Sequence, residues 1–139
     1  MSSSSTVDIP PPLLKRLEAF RMAKRSASSA AVVIKIDKAK LTMDVEEEYE
    51  NIGLEELEEE LPENTPRFIL LSYRLAHSDG RVSFPLVLVY WAPATSSTEM
   101  STLYTSALSA LSVKADVGKV VDMRDGTMDR KTLESRLGA

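Results

Sequence analysis

The sequence contains a single histidine, His77, which is followed directly by Ser78 and Asp79. A serine, a histidine and a carboxylate can form a nucleophilic relay when the histidine lies between the other two side chains. Here the three residues precede Gly80 in a pattern typical of a tight turn, where consecutive side chains point apart. The sequence therefore predicts that His77 ends a hairpin and has no catalytic role.

Other residue types that commonly carry chemistry are absent or lack the required spacing. The absence of cysteine excludes thiol nucleophiles, disulfides and thiolate metal sites. The five glycines form no phosphate-binding pattern such as GxGxxG. Eleven acids lie between residues 44 and 63, but they lack the Asp/Asn-Gly spacing of a calcium loop. We therefore expect a binding protein with no enzymatic activity, no metal and no cofactor.

The charge of the chain is unevenly distributed. The formal net charge is -4, yet the acidic segment, residues 44–63, holds eleven acids and no base. The rest of the chain carries all 17 lysines and arginines against ten acids, a balance of +7. We interpret the acidic segment as a solvated surface, and the alternative is an acidic scaffold that binds a partner itself. The acidic overall charge predicts that nucleic acid is not a partner.

Length and hydropathy predict one domain of a cytoplasmic protein. A chain of 139 residues that is 43% hydrophobic can bury a core of its own. No stretch approaches the roughly 18 apolar residues of a membrane-spanning helix, and the first ten residues do not resemble a signal peptide. We expect a monomer without a membrane partner, in which residues 1–9 form a flexible Ser-rich tail and residues 10–139 form the domain.

Apolar periodicity predicts nine elements in the order αββαββαβα. Strands are expected at 31–36, 41–46, 67–76, 81–92 and 119–123, and the Asp79-Gly80 turn joins the third and fourth strands as a hairpin. Helices are expected from the prolines at 10–12 to a break at 26–29, and at 54–61, 96–112 and 127–137. The nearly continuous apolar run at 82–91 predicts a central strand that is covered on both faces. The fold class is therefore α/β (α+β), with a mixed sheet of about five strands between helices.

The longest predicted helix begins at a capping box formed by Ser96 and Glu99. One side of this helix carries an apolar stripe of Met100, Leu103, Tyr104, Ala107, Leu108 and Leu111. The other side is small and uncharged, with Ser101, Thr102, Thr105, Ser106, Ser109 and Ser112. These small polar side chains would keep an exposed helix soluble.

The first predicted helix has a basic surface. Residues 15–25 have a net charge of +4, from Lys15, Arg16, Arg21, Lys24 and Arg25 set against Glu18. One interpretation is a solvated face that the acidic segment partly balances. The functional interpretation is that Arg21, Lys24 and Arg25 form a second contact with an acidic partner surface.

The centre of the chain resembles a known family. Residues 60–63 read Glu-Leu-Pro-Glu, residues 77–86 read His-Ser-Asp-Gly-Arg-Val-Ser-Phe-Pro-Leu, and Pro66-Arg67-Phe68 and Tyr73 lie between them. This block resembles glia maturation factor, a family of the actin-depolymerising-factor homology superfamily. Further similarity follows in the same order at 20–21, 24–25, 33–38, 46–52, Tyr104 and 119–120, so that the resemblance spans about residues 10–137.

The resemblance implies a single actin-depolymerising-factor homology domain and a non-enzymatic function. That function is to bind the actin-related protein 2/3 complex, inhibit branch nucleation and promote filament debranching in cortical actin networks. The alternative is cofilin-like binding of actin monomers or filaments, with severing. In both families the long helix enters a groove of an actin-like subunit. The resemblance therefore implies partner-binding roles for Ser96, Thr98, Glu99, Met100, Ser101 and Thr105.

The chain departs from both families within this helix. Glia maturation factors have basic residues near the middle of this helix, where this chain has Leu108 and Ala110. Cofilins have lysines near its start, where residues 97–102 of this chain contain none. We expect weaker electrostatic docking, and weak binding to filaments in particular. The resemblance also implies possible phosphorylation near the N-terminus, at Ser2, Ser3, Ser4 and Ser5.

Overall fold

The computed structural model of the protein describes residues 7–24, 28–123 and 129–137. Within these ranges the chain forms four helices and seven strands. The helices are α1 (Pro11–Met22), α2 (Leu54–Glu60), α3 (Thr98–Lys114) and α4 (Arg130–Arg136). The strands are β1 (Ala30–Asp37), β2 (Thr42–Tyr49), β3 (Arg67–Ser72), β4 (Leu75–Ala76), β5 (Val82–Ser83), β6 (Leu86–Trp91) and β7 (Val120–Met123). None of the helices in these ranges is long and apolar enough to span a bilayer.

Five strands form one sheet in the spatial order β2-β1-β3-β6-β7. The neighbours β2 and β1, β1 and β3, and β3 and β6 pair antiparallel, whereas β6 and β7 pair parallel. A parallel pair needs a crossover connection, and α3 supplies it here. The predicted mixed sheet of about five strands is confirmed.

Helices cover both faces of this sheet. On one face α1 and α3 pack through residues such as Leu17 and Tyr104, and on the other face α2 and α4 pack through Leu57 and Leu133. Strand β6 lies between them, and its residues 87–91 are at most 3% exposed. The prediction of a central strand covered on both faces is confirmed, because a strand that buries both faces is apolar at every position.

The predicted hairpin is present, but both of its strands are interrupted. Gly80 has a φ of 94°, in the left-handed region that a tight turn requires and glycine tolerates. Next to this turn β4 and β5 form a separate two-stranded sheet. The prediction of continuous strands at 67–76 and 81–92 is wrong because Pro85 has no N–H to continue the ladder. Its carbonyl instead accepts a hydrogen bond from the Tyr73 N–H at 3.1 Å.

The side chains of the hairpin turn point to different partners. His77 Nε2 lies 2.8 Å from Ser83 Oγ, and Asp79 Oδ2 accepts a hydrogen bond from Arg81 Nε at 2.7 Å. His77 and Asp79 therefore do not form a relay with Ser78.

The start and end of α3 differ from the prediction. Ser97, rather than Ser96, is the N-cap, and its Oγ accepts a hydrogen bond from the Met100 N–H at 3.1 Å. A turn closed by the Ser96 N–H and the Pro93 carbonyl, 3.0 Å apart, keeps Ser96 outside the helix. The predicted capping box of Ser96 and Glu99 is thus wrong by one residue, and α3 runs to Lys114 rather than to residue 112.

Helices α1 and α4 are shorter than predicted. The backbone turns extended at Ala23, with φ -69° and ψ 142°, so α1 ends at Met22 and Lys24 follows the helix. Arg25 lies outside the described residues. Helix α4 begins after Asp129, whose side chain accepts a hydrogen bond from the Lys131 N–H at 3.2 Å. Residues 124–128, which include the predicted helix start at 127, lie outside the described ranges.

Residues 7–9 belong to the packed structure. The Asp8 N–H donates to the Leu41 carbonyl at 2.8 Å, and the Asp8 carbonyl accepts from the Met43 N–H at 2.9 Å. Val7 and Ile9 on either side of Asp8 are buried. The packed structure therefore begins before residue 10, where the sequence predicted the domain to start. Ser2, Ser3, Ser4 and Ser5 lie outside the described residues.

Candidate partner-binding surface

Helix α3 presents small polar side chains to solvent. Its buried side chains are Tyr104, Ala107 and Leu111. The exposed side carries Thr98, Thr102, Thr105, Ser106 and Ser109. Since α3 contains no lysine or arginine before Lys114, this surface is uncharged between Glu99 and the end of the helix. The predicted inward stripe is confirmed. The small outward face is confirmed in part, because Ser101 and Ser112 are half-buried and Val113 near the end of the helix is 76% exposed.

Hydrogen bonds from the sheet fix the position of α3. The Tyr104 hydroxyl accepts a hydrogen bond from the Ile36 N–H at 2.8 Å. Arg67 Nη1 lies 3.5 Å from the same hydroxyl, and the Arg67 guanidinium donates two hydrogen bonds to Glu46, at 2.8 and 3.2 Å. The hydrogen bond from Arg67 lowers the pKa of Glu46, so this pair stays charged at neutral pH.

A second set of hydrogen bonds holds the middle of α3. The Tyr90 hydroxyl donates to the Ser101 carbonyl at 3.2 Å, and Thr105 Oγ1 donates to the Tyr90 oxygen at 3.2 Å. The ring of Phe68 contacts both tyrosines, with its centroid 5.9 Å from that of Tyr90 and 5.1 Å from that of Tyr104. The helix is therefore held rigidly on the sheet.

The start of α3 is joined to the turn between β1 and β2. Lys38 Nζ in that turn lies 2.6 Å from Glu99 Oε1. Between the turn and the helix lies a groove of about 490 Å³, here called the turn groove, which is lined by Lys38, Ala39, Leu41, Glu99, Thr102, Leu103 and Ser106. A hollow of about 380 Å³ is lined by Ser101, Thr102, Thr105 and Ser106. Thr102 and Ser106 line both, and we call these two residues the α3 ridge.

Five of the six residues that the resemblance implied lie on the first two turns of α3. Thr98, Glu99 and Thr105 are exposed, and Met100 and Ser101 are half-buried. Ser96 lies in the preceding loop instead, and its buried hydroxyl has no hydrogen-bond partner among the described residues. The structure therefore brings all but Ser96 together on one helix end.

Sequence reasoning missed the turn side of this surface. Lys38 and Glu99 are 61 positions apart, and only the fold brings them together. No periodicity or motif in the turn indicates this contact. For Thr102 and Ser106 a signal did exist, because both are outward positions of the predicted helix.

The basic residues of α1 lie near the other end of α3. Arg21 Nη1 is 3.8 Å from Asp116 Oδ2, and Arg21 lines a hollow of about 240 Å³ together with Lys15 and Lys114. At 1.5 Å per residue, Glu99 and Lys114 are separated by roughly 22 Å along α3. The two predicted contact sets therefore share a face of the sheet but do not touch. Lys24 is exposed, and Arg25 is outside the described residues.

Several acids of the acidic segment have partners within the fold. Glu46 pairs with Arg67 at 2.8 Å, Glu48 with Arg16 at 2.8 Å and Glu55 with Arg130 at 3.0 Å. These pairs connect β2 to β3, β2 to α1 and α2 to α4. Among the described residues, no three or more acidic or histidine side chains are grouped so that they could hold a metal ion.

Comparison with known proteins decides the family. Residues 6–134 match the cofilin/tropomyosin-type actin-binding proteins. Human glia maturation factor beta is 37% identical over 140 residues, covering 99% of this chain and 98% of the relative. Glia maturation factor of Drosophila melanogaster is 32% identical over 125 residues, covering 90% of each chain. The chain belongs to the glia maturation factor family.

Solved structures show the same fold for this glia maturation factor family member. The solution structure of glia maturation factor from Caenorhabditis elegans has a TM-score of 0.79 at 37% identity and covers 97% of this chain and 99% of that chain. The crystal structure of Streptomyces griseoflavus cofilin has a TM-score of 0.69 at 20% identity, over 94% and 93% of the two chains, which is a likeness of fold. The family resemblance in the sequence is confirmed, and the general function of the protein is actin regulation by binding.

Proposed function

We propose that this protein binds the actin-related protein 2/3 complex, inhibits branch nucleation and promotes debranching of filaments. It acts as a cytoplasmic monomer in cortical branched networks and needs no cofactor. The observation that carries the proposal is the exposed surface of α3. Its serine and threonine side chains are small, and the helix has no lysine or arginine before Lys114. Such a surface suits insertion into a groove better than electrostatic attachment along a filament.

The first half of α3 is the main contact in this proposal. Thr98, Glu99, Met100, Ser101 and Thr105 lie at or beside the groove of an actin-like subunit, with Ser96 in the loop next to them. Hydrogen bonds from Ile36 and Tyr90 hold the helix in place before binding. Little conformational freedom is lost on docking, which favours affinity in the absence of charge.

A second contact involves basic residues at the end of α1 and directly after it, here called the basic end of α1. Arg21, Lys24 and Arg25 attract an acidic surface of the same partner and increase the rate of association. The position of Arg21 near the far end of α3 supports this role, because a partner that covers the length of α3 would reach both ends.

Cofilin-like binding of actin is the alternative, and the match of residues 6–134 to the cofilin/tropomyosin-type actin-binding proteins favours it. Pelleting with actin filaments and pull-down of the purified 2/3 complex, performed on the same preparation, separate the two functions. We expect the complex to be retained and little protein to pellet with filaments. Strong pelleting without retention of the complex would favour the cofilin-like function. If neutralising the acids of residues 44–63 abolished binding of the complex, and substitutions in α3 did not, the protein would be an acidic scaffold.

Phosphorylation of Ser2, Ser3, Ser4 or Ser5 regulates binding in this proposal. The support is positional, because Asp8 pairs with Leu41 and Met43, so the tail joins the fold beside the turn that neighbours α3. A phosphate adds about -1.5 to -2 charges to the segment that precedes Asp8. Aspartate substitutions at the four serines should weaken binding of the 2/3 complex, and unchanged affinity would exclude this regulation.

A further inference from the structure

We infer that the turn groove binds one apolar side chain, of leucine or methionine size, from the subunit on which α3 docks. The inference rests on the proposed function and adds a second wall to its binding surface. That wall is the turn between β1 and β2, which the sequence did not indicate.

The chemistry of the groove favours an apolar occupant. Ala39, Leu41 and Leu103 supply its apolar lining. The two charged side chains that line it, Lys38 and Glu99, bind each other at 2.6 Å. A charged side chain from a partner would have to break that ion pair or enter without a counter-charge, and both options are unfavourable.

Hydrogen bonds hold the turn in a fixed shape. Asp37 Oδ1 accepts from the N–H groups of Ala39, at 3.0 Å, and Lys40, at 3.2 Å. Thr42 Oγ1 donates to the Lys40 carbonyl at 3.1 Å, and the Asp8 N–H donates to the Leu41 carbonyl at 2.8 Å. The groove is therefore formed before a partner arrives, which lowers the entropy lost on binding.

Leu41 has a backbone conformation that leucine disfavours. Its φ is 52°, in the left-handed region that glycine and asparagine tolerate and leucine rarely adopts. The side chain is half-buried and is not among the hydrophobic side chains that pack against the core, so core packing does not account for a leucine at this position. A strained residue at the edge of a groove is a recognised sign of a binding role.

The groove is continuous with the proposed contact on α3. The ridge residues Thr102 and Ser106 line the groove and also the hollow on α3. A partner that covers the ridge therefore covers the groove, and the side chain it places there is removed from water. Because full burial of a leucine-sized side chain is worth more than tenfold in affinity, its loss is measurable.

The test uses Leu41→Asn, which removes the apolar side chain but suits the left-handed backbone. We expect this variant to unfold at the same or a higher urea concentration than the wild type. Its affinity for the purified 2/3 complex, measured by titration, should fall by about tenfold or more. The matched control is Val82→Asn, which changes an apolar side chain that is 42% exposed in the separate β4–β5 sheet. This control should bind like the wild type.

A second variant fills the groove instead of emptying it. Ala39 is exposed, so Ala39→Trp can be accommodated without changing the core, and it should also weaken binding by about tenfold. Wild-type affinity in both Leu41→Asn and Ala39→Trp would overturn the inference and leave the proposed function intact. Failure of the wild type itself to bind the complex would overturn both. A wild-type dimer in sedimentation equilibrium that Leu41→Asn abolishes would show that a second copy occupies the groove, and would overturn the inference as stated.

Discussion

Arg67 links the acidic strand β2 to the underside of α3. Its side chain is 12% exposed and that of its partner Glu46 is 35% exposed, whereas the pair of Arg81 and Asp79 in the hairpin turn is 72% and 55% exposed. Water screens the second pair and competes for its hydrogen bonds, so the two ion pairs should differ in energy. This less exposed pair also lies next to Tyr104, whose hydroxyl helps to hold α3 on the sheet.

Arg67→Met should lower the free energy of unfolding by about 2 kcal/mol, because Glu46 loses charge-assisted hydrogen bonds in a partly buried site. The control Arg81→Met should change it by about 0–1 kcal/mol. Urea unfolding at neutral pH measures both. The hydrogen bond from Arg67 lowers the pKa of Glu46, so the stabilisation by this ion pair is lost as the pH falls through the folded-state pKa of Glu46. The difference in free energy of unfolding between the wild type and Arg67→Met should therefore shrink below about pH 4. Equal effects of the two substitutions would contradict this account.

At the scale of elements, a polar cluster joins α4 to α2 and to Tyr73, the residue that follows β3. The Tyr73 hydroxyl donates to Glu134 Oε2 at 2.5 Å and accepts from Arg130 Nη1 at 3.2 Å. Arg130 Nη2 in turn donates to Glu55 at 3.0 and 3.1 Å. Burial, together with the hydrogen bond to Glu134, raises the pKa of Tyr73 to about 12. The folded protein therefore retains this phenolic proton over a range where the unfolded chain has lost it.

The sign of the pH effect follows from that raised pKa. The stabilisation is complete below the unfolded pKa of about 10 and is lost as the pH rises towards the folded value. Between pH 9 and pH 11 the wild type should lose about 1.4 kcal/mol more stability than Tyr73→Phe, which has no proton to lose there. Urea unfolding of both proteins at pH 7, 9, 10 and 11 measures this difference. A difference in free energy of unfolding between the wild type and Tyr73→Phe that stays the same from pH 7 to pH 11 would contradict the role assigned to the Tyr73 hydroxyl.

Periodicity in the sequence is sufficient to predict the elements but not all their junctions. The stripe from Met100 to Leu111 and the apolar run of β6 are local patterns, and both are confirmed. The apolar run around Pro85 predicts one continuous strand, but the missing N–H of proline interrupts the ladder there. Ser96 and Ser97 are equally good caps, and the Pro93–Ser96 turn, a feature of the loop geometry, decides between them. The turn groove joins residues far apart in the chain, so local patterns could not predict it.

At the scale of the whole molecule, charge is separated between surfaces. Acids of β2 and α2 lie partly in ion pairs. Lys15 and Arg21 of α1 line a hollow with Lys114, which lies roughly 22 Å from Glu99 along α3. Exposed charges at that distance from the main contact act chiefly on the encounter between partners. The basic end of α1 should therefore influence how fast the complex forms more than how long it lasts.

Replacing Arg21, Lys24 and Arg25 by alanine should lower the association rate with the 2/3 complex and flatten its dependence on ionic strength. Stopped-flow measurements at several salt concentrations test this. Because the Arg21 side chain is only 28% exposed, the triple variant should also lose up to about 1 kcal/mol of stability. The double variant Lys24→Ala, Arg25→Ala provides the control without that loss. A triple variant that associates like the wild type at low salt would confine recognition to α3.

The central claim is that the first half of α3 docks on the actin-related protein 2/3 complex. Ser106→Glu places a charge on the α3 ridge, and Ser135→Glu places the same charge on an exposed position of α4, on the opposite face of the sheet. Glutamate is a better helix former than serine, so both variants should fold. In a titration with the purified complex, Ser106→Glu should bind at least about tenfold more weakly, because the added charge is desolvated, while Ser135→Glu binds like the wild type. Wild-type affinity in Ser106→Glu would contradict the claim.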